Sequence, residues 1–522
     1  MFELTNNHSE NKETSPKKTC VMKFGGSSLT GAREIERSVS IISSYKENYL
    51  ARLVVVCSAM GDTTDNLLKA VEFAKSSDFE RAKQTLERVK EDHIGVIEEL
   101  ISDPTLFKAT NDFVYSRFAK LDRILYGISL LKDVNPRSLD LALSFGEQLS
   151  TMIVSSVLAS HGIKTKYLTG GEAGIATNDR FGSAEPIQKL TEESLRKNLL
   201  ALLNQEITPV VTGFIAETAT SHEVITLGRG GSDYTASLIA AAICADEVFL
   251  WTDVDGILTA DPRVVKDAKT VKEITYLEAM EMSAFGAKSM QSRAIEPVAK
   301  SGIPVRIKNT FNPSAEGTVI LSPERIRNTT YFGVKCIGSL HEVALVSISG
   351  DSISSQPGTA LNIFEILKEL GVSILMISQS VSESNISLII KKQDLSKVVR
   401  TLRERLLHEE QFRRPLNLQS DTRYPIFAKV EYEDDVCVIG VLGRGMIGVP
   451  GIAGRVFTIV ANEGINIRMI AQGSSEINIS FVIKERDRVR ALLALHNDLF
   501  LQENNNHLPV NEEIQTADII VK

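Results

Sequence analysis

Short apolar runs alternate with longer amphipathic stretches from Val21 to about Ser322. Runs that are apolar on both faces are typical of parallel strands covered by helices. The stretches between them, such as 79–101 and 139–160, repeat their apolar residues with the period of a helix. The pattern predicts an α/β domain with a mainly parallel sheet sandwiched by helices. The predicted strands are 21–24, 53–57, 164–168, 210–214, 247–250 and 304–308.

Two segments near the start of the chain depart from this alternation. Residues 1–19 are polar and lack the apolar centre of a signal peptide, so we expect a disordered tail. Residues 75–135 are charged and amphipathic, which predicts a helical subdomain. That subdomain is either a solvated decoration of the sheet or a lid that moves. The α/β pattern as a whole predicts a first domain over 20–325.

The last third of the chain contains an internal repeat. Shifted by 93 residues, 343–390 aligns with 436–483 without a gap, and 18 of the 48 positions are identical. Each copy has the pattern strand, Pro-Gly turn, helix, strand, polar turn and strand, which is typical of a ferredoxin-like βαββαβ unit. We therefore expect two further domains, at 335–408 and 426–505. The stretch between them, 408–425, is predicted to be a linker or an additional edge strand.

Composition narrows the function classes. The 522 residues are 43% apolar and carry a net charge of −8, from 58 basic and 66 acidic residues. This excludes a largely disordered chain and a general nucleic-acid or anionic-membrane surface. Five scattered cysteines without a CxxC pair favour a reducing, cytoplasmic location. No apolar run approaches the roughly 18 residues of a membrane helix, so none is predicted.

Two glycine turns stand directly after strands and before helices. They are Lys23-Phe24-Gly25-Gly26-Ser27-Ser28 and Gly228-Arg229-Gly230-Gly231-Ser232-Asp233. Glycine amides and a helix N-terminus together form a cradle for phosphate. Lys23 adds a mobile charge, Arg229 is suited to a bidentate carboxylate contact, and Asp233 can orient a cation. Each turn taken alone is also compatible with an ordinary turn or a helix cap.

Further polar motifs add to these turns. An acidic loop, Trp251-Thr252-Asp253-Val254-Asp255-Gly256, follows a strand and precedes Asp261-Pro262-Arg263; it suits a ribose or a magnesium-bound phosphate, or is an Asx turn. Lys288 closes a helical run, Glu147 opens an apolar helix, and Ser58 to Thr64 form a hydroxyl-rich loop. Together these motifs indicate phosphoryl transfer from a nucleotide. The P-loop pattern and the protein-kinase motifs are absent from the sequence.

The order of these motifs resembles a known family. The segments KFGGSS, SFGEQLS, LGRGGSDYTA, WTDVDGI, TADPR and FGAKSM precede tandem repeats with MISQSVSE and MIAQGSSEINISF. They resemble the aspartate kinases, members of the amino-acid kinase family with two C-terminal ACT domains, over residues 20–500. The resemblance implies transfer of the γ-phosphate of Mg-ATP to the side-chain carboxylate of L-aspartate. The product, 4-phospho-L-aspartate, begins the routes to lysine, threonine and methionine.

The resemblance also implies residue roles. Lys23 and Lys288 would lie at the phosphates, and Asp233 would organise the lysines or the metal; these three are the expected catalytic residues. Arg229 would bind the α-carboxylate of aspartate and Glu147 its α-ammonium, with Ser58, Thr64 and Phe214 completing the pocket. The cofactors would be ATP and Mg²⁺, and no protein ligand is assigned to the ion. The expected nucleotide-binding residues are Lys23, Gly25, Gly26, Ser27, Gly230, Gly231, Thr252, Asp253, Asp261, Arg263 and Lys288.

The repeats are expected to regulate the enzyme. Paired ACT domains of this family bind an end-product amino acid and join chains, which implies a homodimer or homotetramer. The turn at 377–383 is more similar to the threonine-responsive pattern than to the lysine-responsive one. The alternative is that the first repeat only scaffolds a dimer. The expected effector contacts are Ile353, Gln356, Gly358, Ser373 and Gln379.

Two departures from the family pattern keep alternatives open. Ser289-Met290-Gln291-Ser292 replaces a hydrophobic pair followed by His-Pro, and Leu258 stands where the family often has an aromatic residue. Both concern the nucleotide contacts. One alternative is a kinase for another carboxylate, a carbamate or a nucleoside phosphate. A second alternative is an amino-acid sensor with a degenerate kinase domain.

Overall fold

A computed structural model describes residues 17–48, 51–285, 290–326, 333–349, 359–379, 385–407, 429–473 and 475–501. The chain divides into two compact units. The first consists of the described residues up to Ile257, Lys272–Tyr276 and Met290–Ile326. The second takes Leu258–Val271, the described part of Leu277–Ser289 and the described residues from Gly333 onward. The second unit therefore includes two segments, Leu258–Val271 and part of Leu277–Ser289, that lie within the 20–325 range predicted for the first domain.

The elements up to Leu321 follow one another as an alternation of strands and helices. The strands are β1 Thr19–Phe24, β2 Arg52–Cys57, β3 Thr165–Leu168, β4 Ala176–Thr177, β5 Thr208–Thr212, β6 Ile215–Thr218, β7 Val224–Thr226, β8 Glu247–Thr252, β9 Glu273–Thr275, β10 Val305–Asn309 and β11 Thr318–Leu321. The helices are α1 Ala32–Asn48, α2 Thr63–Lys75, α3 Phe79–Leu100, α4 Pro104–Leu131, α5 Pro136–Leu143, α6 Phe145–Ser160, α7 Gly170–Ala173, α8 Gln188–Leu203, α9 Gly231–Ile243, α10 Tyr276–Ala284 and α11 Ser292–Ser301.

An eight-stranded sheet forms the centre of the first unit, in the order β3-β5-β2-β1-β8-β10-β11-β9. Every neighbouring pair is parallel except β10 with β11. The strands β1, β2 and β8 are almost wholly buried, as expected of central parallel strands covered on both faces. A small second sheet holds β4, β6 and β7. The predicted α/β architecture is confirmed.

Several predicted bounds shift. The ordered chain begins before residue 20, because Thr19 already belongs to β1 and Lys17 pairs with Glu206; residues 1–16 lie outside the described part. The helix expected at 139–160 starts at Pro136 and divides at Ser144, whose hydroxyl donates to the Leu141 carbonyl at 2.7 Å. Serine hydroxyls that bond back to the preceding turn bend helices.

The same stretch, Pro136–Ser160, is the one described helical segment that is long and apolar enough to cross a membrane by length and composition. Its most apolar window is 83% buried inside the protein. That burial is typical of a core helix, and α6 indeed packs Leu149, Ile153 and Val157 into the main hydrophobic cluster.

The repeat forms the second unit. Its elements are β12 Cys336–Ser349, α12 Thr359–Glu369, β13 Met376–Gln379, β14 Asn385–Lys391, α13 Leu395–Leu407, β15 Lys429–Leu442, α14 Ile452–Asn462, β16 Met469–Gln472, β17 Asn478–Lys484 and α15 Arg488–His496. The six strands form one antiparallel sheet in the order β13-β14-β12-β15-β17-β16. Each copy thus shows the pattern βαββα among its described residues. The expected linker at 408–425 lies outside them.

One face of this sheet receives an aromatic residue. Gly338 and Gly440 pair across β12 and β15, and Phe285 lies over both. A Cβ atom on Gly338 would come within 2.5 Å of Phe285 Cβ, and one on Gly440 would overlap the ring. The two glycines therefore make room for Phe285, at the end of α10, within the second unit.

Candidate active site

A cavity of about 330 Å³ lies in the first unit at the carboxyl ends of β1, β2 and β5 and the start of α9. These three strands are neighbours in the sheet, and ligands of open α/β sheets bind at that edge. The cavity is lined by Lys23, Gly26, Ser58, Ala59, Gly61, Thr64, Glu147, Phe214, Gly228, Arg229, Gly230, Gly231, Ser232 and Asp233.

An ion pair marks one side of the cavity. Lys23, the last residue but one of β1, places Nζ 2.6 Å from Oδ1 of Asp233 in the first turn of α9. The two side chains are 14% and 19% exposed, so water screens the pair only in part. A carboxylate in the first turn is favoured by the helix dipole, and it directs the lysine toward the cavity. The arrangement supplies a positive charge for an anionic ligand.

Glu147 lines the cavity from the first turn of α6 and is 4% exposed. Its Oε1 accepts a hydrogen bond from the Ala59 amide at 3.3 Å, whereas Oε2 is buried and has no hydrogen-bond partner among the described residues. Burial raises the pKa of Glu147 to about 8, because desolvation outweighs the amide hydrogen bonds and the charge of Lys23. A cation beside Oε2 would restore the charged form.

Arg229 stands on the loop between β7 and α9, and its side chain is exposed. Within the described residues no carboxylate forms an ion pair with it. Phe214 lies next to this loop with a φ of +65°, and a Cβ on Gly231 would be 2.9 Å from its ring. The glycine therefore allows the loop to pack on Phe214 while the guanidinium remains available to a ligand.

The first glycine turn is held by backbone contacts. The Gly25 amide donates to the Trp251 carbonyl at 3.1 Å, and the Gly61 amide donates to the Gly26 carbonyl at 3.1 Å. A Cβ on Gly26 would lie 3.0 Å from the Gly61 carbonyl oxygen. The loops after β1 and β2 are thus packed backbone to backbone, which a side chain at Gly26 would disturb. Ser27 follows within the same turn.

The expected nucleotide residues divide between the units. Thr252 ends β8, and its hydroxyl donates to Asp253 at 3.1 Å. Asp261 and Arg263 belong to the second unit, where they form an ion pair of 2.7 Å. Hydrogen bonds from Arg263 hold the pKa of Asp261 below its usual range. In this conformation both side chains are engaged with each other.

Ten of the predicted site residues line the cavity: Lys23, Gly26, Ser58, Thr64, Glu147, Phe214, Arg229, Gly230, Gly231 and Asp233. Ser373 and Gln379 are exposed residues of the second unit. Four predicted residues lie outside the described residues: Lys288, Ile353, Gln356 and Gly358.

Sequence reasoning missed four lining residues, Ala59, Gly61, Gly228 and Ser232, although all stand in the predicted loops. It also missed the role of Asp255, whose Oδ1 accepts hydrogen bonds from Asn309 at 2.9 Å and Asn312 at 3.3 Å. Across the described ranges, no three His, Cys, Asp or Glu side chains cluster closely enough to hold a metal ion.

Comparison with known proteins agrees with this geometry. The model of the amino acid kinase family matches residues 18–309, and the model of the ACT domain matches 346–406 and 439–499. Aspartokinase 1, chloroplastic, of Arabidopsis thaliana is 34% identical over 493 residues, which cover 92% of this chain and 80% of that protein. This chain belongs to the aspartokinases. It is accordingly an ATP-dependent phosphotransferase of the amino acid kinase family.

Solved aspartokinases share the fold. E. coli aspartokinase III in complex with aspartate and ADP is 27% identical, has a TM-score of 0.77, and is matched over 92% of this chain and all of that one. The aspartate kinase of Clostridium acetobutylicum, also 27% identical, has a TM-score of 0.70 over 92% of this chain and all of that one. The tandem C-terminal domains of this aspartokinase are therefore ACT domains.

Proposed function

We propose that this aspartokinase transfers the γ-phosphate of Mg-ATP to the side-chain carboxylate of L-aspartate. The observation that carries the proposal is the set of charges around one cavity. Asp233 holds Lys23, and among the described residues Arg229 has no paired carboxylate and the buried Oε2 of Glu147 has no hydrogen-bond partner. An α-amino acid needs one cationic and one anionic partner, and Arg229 and Glu147 provide them. The complex of the E. coli relative with aspartate and ADP supports the assignment.

The chemistry needs positioning and charge neutralisation rather than a base. The aspartate carboxylate is ionised at neutral pH, so its oxygen attacks the γ-phosphorus directly. As that bond forms, the bond from the γ-phosphorus to the β,γ-bridging oxygen breaks, and ADP leaves. Lys23 stabilises the charge on the phosphoryl oxygens, and Arg229 and Glu147 align the amino acid. Ser58, Thr64 and Phe214 line the same cavity and shape the amino-acid pocket.

We also propose which residues contact the nucleotide. The turns with Gly25, Gly26 and Ser27 and with Gly230 and Gly231 receive the phosphates, since the first amides of α9 have no partner within the helix. Thr252, Asp253, Asp261, Arg263 and Lys288 are proposed to complete the nucleotide and phosphate contacts. Mg²⁺ arrives with ATP as part of the substrate.

A substrate panel tests the reaction. Purified enzyme with Mg-ATP and L-aspartate should form an acyl phosphate that hydroxylamine traps as the hydroxamate. The panel includes L-glutamate, N-acetyl-L-glutamate, carbamate and a nucleoside monophosphate. Turnover of one of these with none of aspartate would select a different acceptor, and turnover of no compound would select a sensor without kinase activity.

We further propose that an end-product amino acid inhibits the enzyme through the ACT domains, with threonine favoured over lysine. A complex of the E. coli relative with lysine and aspartate is known, which makes lysine the second candidate. Initial rates with each amino acid test this. Gln379→Ala should weaken inhibition, and its matched control is Gln472→Ala at the equivalent position of the second repeat. Equal loss in both variants, or none, would contradict a site in the first repeat.

We also propose how the enzyme assembles and which step it catalyses in the cell. The ACT domains join chains into a homodimer or homotetramer, which sedimentation of the full chain with and without the effector would measure. The enzyme acts in the cytoplasm as the first step toward lysine, threonine and methionine. A strain that lacks the gene should need all three amino acids for growth, and expression of this chain should remove that need. This complementation tests the proposed step.

A further inference from the structure

The position of Arg229 depends on how its loop is held. Thr226 ends β7 and Gly231 begins α9, so four residues, 227–230, connect them. The Arg229 side chain is exposed and makes no ion pair with the described residues. Its location before a substrate arrives is therefore set by the anchors on the two sides of the loop.

The first anchor is Asp140, a carboxylate on α5 that is 2% exposed. Its Oδ2 accepts hydrogen bonds from the Gly182 amide at 3.0 Å and from the Thr226 amide at 3.2 Å. Its Oδ1 accepts the Thr226 hydroxyl at 2.8 Å. The amide and the hydroxyl of Thr226 thus both donate to the buried carboxylate of Asp140. Thr226 lies three residues before Arg229.

The second anchor is Arg293 on α11. Its Nη1 donates to the Leu227 carbonyl at 3.3 Å and its Nη2 to the Ala184 carbonyl at 2.7 Å. Its guanidinium also lies over the Tyr234 ring, 4.6 Å from the centroid. Tyr234 stands in the first turn of α9, so Arg293 connects the two ends of the loop.

We propose that Asp140 and Arg293 are positioning residues that set the affinity for the carboxylate substrate by holding Arg229 in place. Neither residue lines the cavity, so both act through the loop. A loop that is ordered before binding loses less conformational entropy when the substrate arrives. The effect should therefore fall on aspartate binding more than on phosphoryl transfer. This inference rests on the proposed function.

The test uses conservative variants. Asp140→Asn keeps the size but presents an amide donor to neighbouring donors. Arg293→Lys keeps the charge but offers one nitrogen in place of the two that reach the Leu227 and Ala184 carbonyls. Each should raise the KM for aspartate roughly tenfold while the KM for ATP and kcat stay within about twofold. Combined with Arg229→Ala, neither variant should raise the KM further, because the group that they position is gone.

Control variants remove side-chain hydrogen bonds to the backbone elsewhere in the first unit. Arg196 Nε donates to the Ala242 carbonyl at 2.8 Å near the end of α9, and Asp246 Oδ2 accepts the Thr19 amide at 2.7 Å. Arg196→Lys and Asp246→Asn should leave both KM values unchanged. If the test variants behave like these controls, or if they lower kcat and raise both KM values together, the positioning role is overturned.

A second measurement separates this inference from the proposed function. Amide hydrogen exchange over 224–231 should be faster in Asp140→Asn than in the wild type without any substrate. If the wild type does not phosphorylate aspartate, the proposed function fails, yet faster exchange would still support Asp140 as the anchor. Unchanged exchange would overturn the anchor whether or not aspartate is the substrate.

Discussion

Each unit contains a lysine paired with a carboxylate, and the two pairs differ in what surrounds them. In the second unit Lys335 Nζ lies 3.1 Å from Glu278 Oε2, and the side chains are 6% and 1% exposed. The other oxygen of Glu278 accepts the Arg444 amide at 2.7 Å. In the first unit the Lys23 and Asp233 side chains are 14% and 19% exposed, and the pair faces the cavity.

This difference distinguishes an ion pair that stabilises the fold from one that faces a ligand-binding cavity. Glu278 has a partner for each oxygen, as a buried charge requires when nothing else will bind it. Next to Lys23, Glu147 keeps one buried oxygen without a partner among the described residues and has a raised pKa. Unsatisfied polar atoms and shifted pKa values at a cavity indicate a functional site, whereas a saturated pair does not.

The largest expected effect comes from the Lys23–Asp233 pair. Lys23→Met should lower kcat roughly 10³-fold, because a preorganised charge at the phosphoryl group is lost. The unfolding transition should change little, since the pair is partly exposed. Hydroxamate formation measures kcat. The matched control is Lys46→Met, which removes another half-buried lysine of the first unit, bonded to the Thr208 hydroxyl at 2.7 Å. A kcat within tenfold of the wild type would remove Lys23 from the phosphate site.

The Lys335–Glu278 pair should show the opposite result, a loss of stability rather than of kcat. Lys335→Met leaves Glu278 buried without its cation and should cost about 3–5 kcal/mol of stability, whereas Lys335→Met with Glu278→Leu should recover most of it. The single tryptophan, Trp251, lies in the first unit, so its fluorescence and far-UV circular dichroism together tell which unit unfolds. A loss of kcat at low temperature with unchanged unfolding would contradict a supporting role for this pair.

Much of the fold follows from local sequence. The structure contains all six predicted strands, and each bound lies within two residues of its prediction, because short runs rich in β-branched, aromatic and apolar residues favour strands. The strands β4, β6 and β7 have two to four residues, too few to show a period. The repeat revealed the second unit, but the inclusion of 258–271 and 277–289 in it depends on contacts distant in sequence.

The site divides in the same way. Lys23, Arg229 and Asp233 could be predicted because each lies where a strand, a glycine turn and the start of a helix follow one another directly along the chain. Asp140 and Arg293 could not, since each bonds the backbone of a residue 66 to 86 positions away at β7 or directly after it, and a single Asp or Arg on a helix has no local signature. Residues that position others are thus the part of a site that sequence motifs omit.

A smaller effect is expected at the substrate end of the cavity. Arg229→Ala should raise the KM for aspartate about 100-fold, the value of two charge-assisted hydrogen bonds, and Arg229→Lys should fall between because lysine lacks the planar fork. The KM for ATP should stay nearly constant. Arg180→Ala, which removes another exposed arginine of the first unit, is the control. An unchanged KM for aspartate would mean that Arg229 does not bind its carboxylate.

A pH dependence of aspartate binding is expected to originate at Glu147. Its pKa of about 8 keeps the carboxyl protonated in the empty site at pH 7, whereas an ammonium ligand needs the carboxylate. Binding therefore releases a proton, and the KM for aspartate should fall about tenfold from pH 6 to pH 7, fall less steeply as the pH approaches 8, and level off above. Glu147→Gln should give a higher KM that does not change with pH, and Glu192→Gln should behave as the wild type. A flat profile in the wild type would contradict the raised pKa.

The stability of the empty enzyme should respond to the same group. Because the folded pKa lies above the unfolded value near 4.5, the contribution of Glu147 is present below that value and is lost as the pH rises through 8. The stability advantage of Glu147→Gln over the wild type should therefore grow from pH 5 to 8, by at most about 5 kcal/mol. Saturating aspartate should abolish that advantage, since its ammonium stabilises the carboxylate that burial disfavours. The cost to the empty fold and the gain in binding would then have one cause, the buried Oε2 of Glu147, which has no hydrogen-bond partner among the described residues.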